Sequence, residues 1–402
     1  MTAPDLDLAS LIADPYGGYT RLRADAPVHR VVGPDGLPFW LVTRYPDVRQ
    51  ALADPRLALD KAHAAPGNYR GFALPPALDA NLLNMDPPDH TRIRRLVSQA
   101  FTPRRIAALR APIEKVAGQL LDAMAPAGRA DLLAAYAAPL PITVICDLLG
   151  VPEDDRHDFR AWTDSLITPD PDRPEATRAA VKAMLGFFTG LIERKRTQPG
   201  DDLLSDLTTV RDESVRGGAE GGDRLTEDEL TSLAFLILFA GYENTVHLIA
   251  NAVLALLTHP EQLAALRAEP ELIDGAVEEF ARFDGPAPLA IRRFPREDVT
   301  IGGVTVPAGE TVLLALGSAN RDPAQFTDPD RLDLRRRETG HLALGHGIHY
   351  CLGAPLARME TAVALNALLR RFPDLALDVP VEQLRHRPTL RARGLLELPV
   401  RY

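Results

Sequence analysis

The chain has 402 residues, of which 46% are hydrophobic and 25% charged, with a formal net charge of −10. That is ordinary for a soluble globular protein with a large core, and the acidic balance argues against a general nucleic-acid binder, which would be basic. Two cysteines, Cys146 and Cys351, make no disulfide framework, and the acidic, polar start from Met1 to Asp7 has no signal-peptide pattern, so a cytoplasmic protein without a membrane anchor is expected.

Val28 to Val32 and Phe39 to Tyr45 are β-prone runs around Gly33-Pro-Asp-Gly36, the pattern of a hairpin, and Tyr45 to Leu52 reads as a short helix. Residues 60–84 carry Pro66, Gly67, Gly71, Pro75 and Pro76 and show no period. A loop that long inside a compact domain is usually functional. In the stretch from Asp86 to Phe101, Pro87 and Pro88 suit a helix start and Asp89 can cap it. His90 and Arg94, four apart, share one face of that helix. By themselves they read as a solvated charged face, which describes most such patterns, or as a pair aimed at an anion. Residues 103–200 alternate helical stretches with Pro and Gly breaks, with a loop at Pro169 to Pro174. Residues 211–223, with four glycines among charges, read as a flexible linker.

Thr226 followed by Glu229 is a capping box. From Leu230 to Leu257 the chain is apolar on nearly every side, and the whole segment from Thr226 to His259 predicts a helix of about 50 Å. Such a helix spans a membrane or threads the core of a large soluble domain. Glu243, Asn244 and His247 at its centre are expensive in lipid, so the core reading fits better. Glu279-x-x-Arg282 shares one face of the next helix, which Pro286 and Pro288 end. Leu289, Ala290 and Ile291 then form a small apolar wall, and Val299 to Leu316 alternates as short strands with glycine turns. Residues 376–400 return to short strands. The fold class is therefore mainly α with a small β region.

Between these strands lies Cys351. Gly345 and Gly347 precede it, Gly353 follows, and Leu352, Leu356, Met359 and Val363 mark a helix starting just after the sulfur. A sulfur beside a helix N-terminus is favoured as thiolate, the metal-binding form. A buried structural cysteine needs no such glycines. Zinc held by His346, His349 and Cys351 would lack paired ligand spacing and a clear fourth ligand.

The run Leu344-Gly345-x-Gly347-x-His349-x-Cys351-x-Gly353 resembles the haem-binding signature of the cytochromes P450, with Leu344 where the family usually has Phe. The resemblance implies a single cytochrome P450 domain over residues 1–402. A long oxygen-binding helix would lie on one side of haem b and the cysteine-ligand helix on the other. Cys351 becomes the axial thiolate, framed by Leu344, Gly345, His349 and Gly353. His90, Arg94 and Arg293 become partners of the haem propionates. Ala240-Gly-Tyr-Glu-Asn-Thr245 resembles the oxygen-binding motif, with Gly241 leaving room for O2 and Glu243 supplying protons. The usual alcohol position holds Asn244, and Thr245 lies about 100° further round the helix. Leu236, Phe239, Ala240, Leu289, Ala290, Ile291 and Leu395, with Leu396 beside it near the same turn, are the expected pocket. Glu279, Arg282 and Arg331 are the expected buried structural triad.

The implied activity is insertion of one oxygen atom from O2 into an apolar organic substrate, by hydroxylation or epoxidation, in bacterial secondary metabolism or on a steroid-like molecule. The alternatives are oxidative coupling or rearrangement, or a haem sensor. No GxGxxG after a strand is visible, so NAD(P)H electrons would arrive through a ferredoxin or flavodoxin and its reductase. Arg92, Arg95, Arg104, Arg105 and Arg358 offer such a partner a basic face, or are merely a solvated arginine-rich surface. A monomer binding no nucleic acid and no membrane completes the expectation.

Overall fold

The structure, a computed structural model, describes residues 8–33, 35–69, 76–79, 81–167, 173–210 and 224–402. The linker expected at 211–223, and parts of the loops expected at 60–84 and 169–174, lie outside the described residues. The chain divides into two compact units built from interleaved segments. One takes Met1–Gly71, Ala117–Ala137 and Asn244–Tyr402, and the other takes Phe72–Val116 and Ala138–Glu243.

The first unit holds the β region. Val28–Val32 pairs antiparallel with Pro38–Val42, with Val28 opposite Val42, and Gly36 turns the chain between them at φ 77°. Pro38–Val42 pairs in parallel with Val312–Leu314. The alternation of these strands buries Val28, Val42, Val312 and Leu314 against Tyr45, Val48 and Leu52 of the helix Tyr45–Ala53. Val299–Ile301 and Val304–Val306 form a hairpin through Gly302 and Gly303, both at positive φ. A second sheet orders Arg129–Asp131, Pro399–Arg401 and Ala376–Leu377. The helix after the cysteine, Ala354–Arg371, packs on the helix Ile273–Asp284. Its buried Leu356, Met359 and Val363 carry the expected spacing, each stabilising by about 2 kcal/mol.

The second unit is helical among its described residues. Leu203–Thr209 packs on Asp89–Ala100 and on Pro139–Leu149. Arg156–Ile167 packs on Pro174–Thr197, and Phe159, Trp162, Phe187 and Phe188 interlock between them with ring centroids 5.4 to 5.9 Å apart. In Asp89–Ala100 the cap position belongs to Pro88. Asp89 is instead the first helical residue, where its charge still meets the positive end of the dipole.

The longest described helix is Glu227–Thr258, of 32 residues. Its capping box forms as expected: Thr226 N–H donates to Glu229 Oε2 at 2.8 Å, and Glu229 N–H donates to Thr226 Oγ1 at 3.2 Å. By length and hydropathy it is the one helix among the described residues able to cross a membrane, and 61% of its apolar window is buried in the protein.

Candidate active site

The loop before Cys351 is shaped by its glycines. Gly345 and Gly347 sit at φ 78° and 76°, a region that side chains rarely adopt. A Cβ on Gly347 would lie 3.2 Å from Ala53 Cα and Leu52 O, so the loop is laid directly on the Tyr45–Ala53 helix. The loop then closes on itself. Gly345 N–H donates to Leu342 O, Tyr350 N–H to Gly347 O, and Cys351 N–H to Leu344 O at 2.9 Å. Leu344 thus anchors the cysteine through its carbonyl, a contact indifferent to its side chain.

Gly353 takes the cap position of the following helix, and a Cβ there would stand 4.0 Å from Cys351 Sγ. The sulfur therefore lies at the start of a helix, partly open to its surroundings. Cys146 is its opposite. Burial pushes that thiol up to about 12, leaving an inert core residue.

Most of the long helix is buried, and around its centre a run of less buried residues includes one helix face. Leu236, Ala240 and Glu243 are half-buried and Asn244 is exposed, at the spacing of one helix face. Thr245, 5% exposed, points away from that face, so the two polar side chains serve different surroundings. Phe239 stacks on Phe235 with centroids 5.9 Å apart. At Gly241 a Cβ would meet Ile145 Cδ1 at 3.3 Å, a close contact with the movable end of that side chain.

The donor set fits a haem. One accessible sulfur stands at a helix start, and no three His, Cys, Asp or Glu side chains among the described residues group to hold a metal ion, which leaves no closed zinc site there. Arg293 is 4% exposed, with Nη1 3.5 Å from Leu57 O, and so offers a buried cation to a carboxylate. His90 is 1% exposed and Arg94 half-buried, one turn apart on Asp89–Ala100.

A family profile described as Cytochrome P450 matches residues 158–387. The chain is 50% identical over 99% of its length, and 94% of the relative's, to the cytochrome P450 monooxygenase PikC of Streptomyces venezuelae. The chain belongs to the cytochrome P450 family. It is 44% identical to the mycinamicin IV hydroxylase/epoxidase of Micromonospora griseorubida, over 96% of this chain and 94% of that one. The myxobacterial cytochrome P450 CYP267B1, solved with myristic acid, superposes with a TM-score of 0.91 at 40% identity, covering 100% of this chain and 99% of that one. The P450 is a haem-thiolate monooxygenase. It inserts one oxygen atom from O2 into an organic substrate, by hydroxylation or epoxidation, with electrons derived from NAD(P)H through redox partners.

Several expected residues of the P450 take other places. The buried triad forms around Glu279, 3% exposed, but its third member is Arg336 and not Arg331. Arg282 donates to both carboxylate oxygens at 2.7 and 2.8 Å, and Arg336 Nε lies 3.2 Å from each. Arg331 is exposed and contributes only its carbonyl, which accepts from Arg282 and Arg336. A local reversal, in which Arg336 N–H donates to Asp333 O, folds the later arginine back over Glu279. Nothing in the sequence marks which arginine returns. Of the apolar wall, Leu289 and Ala290 pack on the two cores of the β region, and Ile291 is 39% exposed. Leu395 is fully buried and presents no surface to a cavity, whereas Leu396 is 47% exposed. Arg292 is no solvated neighbour: its guanidinium lies 5.2 Å from the Tyr69 ring centroid and 5.8 Å from that of Phe294.

Three of the five arginines expected at a docking face are engaged by carboxylates of the P450 itself. Arg92 pairs with Glu229, Arg105 with Asp206, and Arg358 Nε with Glu278 at 2.5 Å. Burial works against the Glu278 charge, yet hydrogen bonds from His341 and Arg358 pull its carboxyl down to about 2. The outer side of the Cys351 loop borders two clefts of about 820 and 620 Å³ that share Tyr45, Arg49, Gln325 and His346. Reading for motifs also passed over Glu360, fully enclosed in the cysteine helix, whose carboxyl burial pushes up to about 8.

Proposed function

We propose that this P450 oxidises a bulky, largely apolar natural product of polyketide or steroid-like type. The observation that carries the monooxygenase assignment to named residues is the Cys351 loop, whose glycines and closing hydrogen bonds leave one accessible sulfur at a helix start. Leu236 and Ala240 on the helix face of one unit, and Ile291 and Leu396 in the other, are each apolar surface of the kind that suits a substrate recognised by surface more than by charge. The mycinamicin relative supports the same substrate class.

In this reading Cys351 ligates the haem iron, and His90, Arg94 and Arg293 hold the porphyrin carboxylates. When bound and reduced, the haem supplies activation of O2. The chain's own task is to deliver protons and exclude stray water. Glu243 carries the proton, and the Asn244 amide, which both donates and accepts, holds the water or substrate hydroxyl that passes it on. The electrons come from a ferredoxin and its reductase in the cytoplasm, and the enzyme works as a monomer with one catalytic domain.

The test is spectral. Reduced, CO-treated wild-type protein should show the thiolate-type band and Cys351→Ser should lose it. Retention of that band in the variant would remove the assignment. The exposed amide of Asn244, at a position where the family has an alcohol, also favours a second reading, oxidative coupling or rearrangement. Turnover under isotopically labelled O2 separates the two, because only oxygen insertion labels the product.

A further inference from the structure

One turn after Asn244 the long helix meets the chain reversal at residues 385–396, which is held by Arg387 N–H to Gly394 O at 2.9 Å and Leu396 N–H to Arg385 O at 2.9 Å. His247, 3% exposed, lies so close to Gly394 that a Cβ there would stand 2.1 Å from Nδ1 and 2.3 Å from Cε1. No side chain fits at 394 while His247 keeps its place. One turn further on, the buried Asn251 Nδ2 donates to Arg393 O and to Asp284 O, both at 2.9 Å. Two carbonyl acceptors fix the orientation of that amide.

The two segments reached by Asn251 are themselves joined. Arg393 N–H donates to Pro286 O at 2.8 Å, and Arg393 Nε donates to the Asp284 carboxylate at 3.1 Å. Tyr16 O–H donates to the same carboxylate at 2.5 Å. Residues 284–286 lead directly to Ile291, and residues 393–394 lead directly to Leu396. The two exposed apolar side chains assigned to the substrate therefore stand on segments pinned to the helix that carries Asn244. His247 and His386 support the lock as neutral rings, because burial, then neighbouring positive charge, holds each down to about 4.

We propose that His247 and Asn251 are positioning residues that set how far segments 285–291 and 385–396 stand from the Asn244 face, and so how large a substrate the enzyme accepts. This rests on the haem-pocket reading above. Neither residue touches substrate, and both act through Gly394, Arg393 and Asp284.

Spectral titration of the ferric holoenzyme with imidazole and with 4-phenylimidazole tests it. Imidazole reads access to iron, and the ratio of the two affinities reads the walls. Gly394→Ala should change that ratio tenfold or more in the His247 protein and less than threefold in the His247→Ala protein, where the new methyl finds the vacated space. Asn251→Asp, of equal size but stripped of both donated hydrogen bonds, should move the ratio in the same way. It should also speed amide hydrogen exchange at Arg387 and Arg393 while imidazole affinity stays within threefold. Equal ratio shifts for Gly394→Ala in both backgrounds, or an unchanged ratio and unchanged exchange in Asn251→Asp, would overturn the proposal. Absence of any imidazole spectrum from wild-type protein would instead refute the haem reading, and the exchange measurement would still judge the lock.

Discussion

Truncating Arg336 and Arg331 separately distinguishes the triad that forms from the one the motif suggests. The Glu279 carboxylate is 3% exposed and the Arg336 side chain 5%, so Arg336→Ala removes a desolvated charge partner. It also strips the Thr327, Asp328 and Arg331 carbonyls of donors at 2.6 to 3.1 Å. Breaking a buried ion pair from one side costs about 3–5 kcal/mol, and the lower end applies because Arg282 still holds Glu279 with two bonds. For a chain of this length, about 3 kcal/mol corresponds to a fall of about 4 °C in the unfolding midpoint. Arg331→Ala removes an exposed side chain and leaves its carbonyl in place, so its effect should stay within about 0.5 kcal/mol. Thermal unfolding of the haem-loaded protein, followed together by haem absorbance and far-ultraviolet dichroism, gives both values under one set of conditions. An Arg331→Ala midpoint as low as that of Arg336→Ala would refute the assignment.

Asn244→Ala should divert reducing equivalents to hydrogen peroxide, seen as a fall in product formed per NAD(P)H consumed, and unchanged coupling would remove Asn244 from proton delivery. Glu360→Gln bears on pH. Its carboxyl is raised from the ordinary 4.5 to about 8, so the folded state holds a proton that the unfolded state releases between those values. The stability it contributes is complete below about pH 4.5 and is lost as pH rises toward 8, by at most about 5 kcal/mol. The midpoint of Glu360→Gln should therefore gain on that of wild type from pH 5 to pH 8, and a constant difference would contradict the burial argument.

Local chemistry carried most of what the sequence disclosed. The hairpin of Val28–Val32 and Pro38–Val42, the Thr226–Glu229 cap and the cysteine loop are each written in neighbouring residues, through alternation, reciprocal hydrogen bonding and glycine conformation. The errors arose where contacts come from far along the chain. Arg336 reaches Glu279 across 57 positions, and Arg331 stood closer to the motif in sequence. His247 read as one polar residue in an apolar run because its partner, Gly394, lies on another segment. The membership of Leu395 in the interior and of Leu396 at the surface turns on a one-residue register that alternation near a turn does not define.

The internal pairing of Arg92, Arg105 and Arg358 has a consequence for traffic between proteins. Guanidinium groups already neutralised by their own chain project little field into solvent, so these three would do little to draw in an acidic electron donor over long distances. Its capture should then depend on short-range fit, in which Ile348, 52% exposed beside Cys351, is the natural foothold. Reduction by a separate donor should slow less than about threefold between low and physiological ionic strength, where a strongly steered encounter would slow far more.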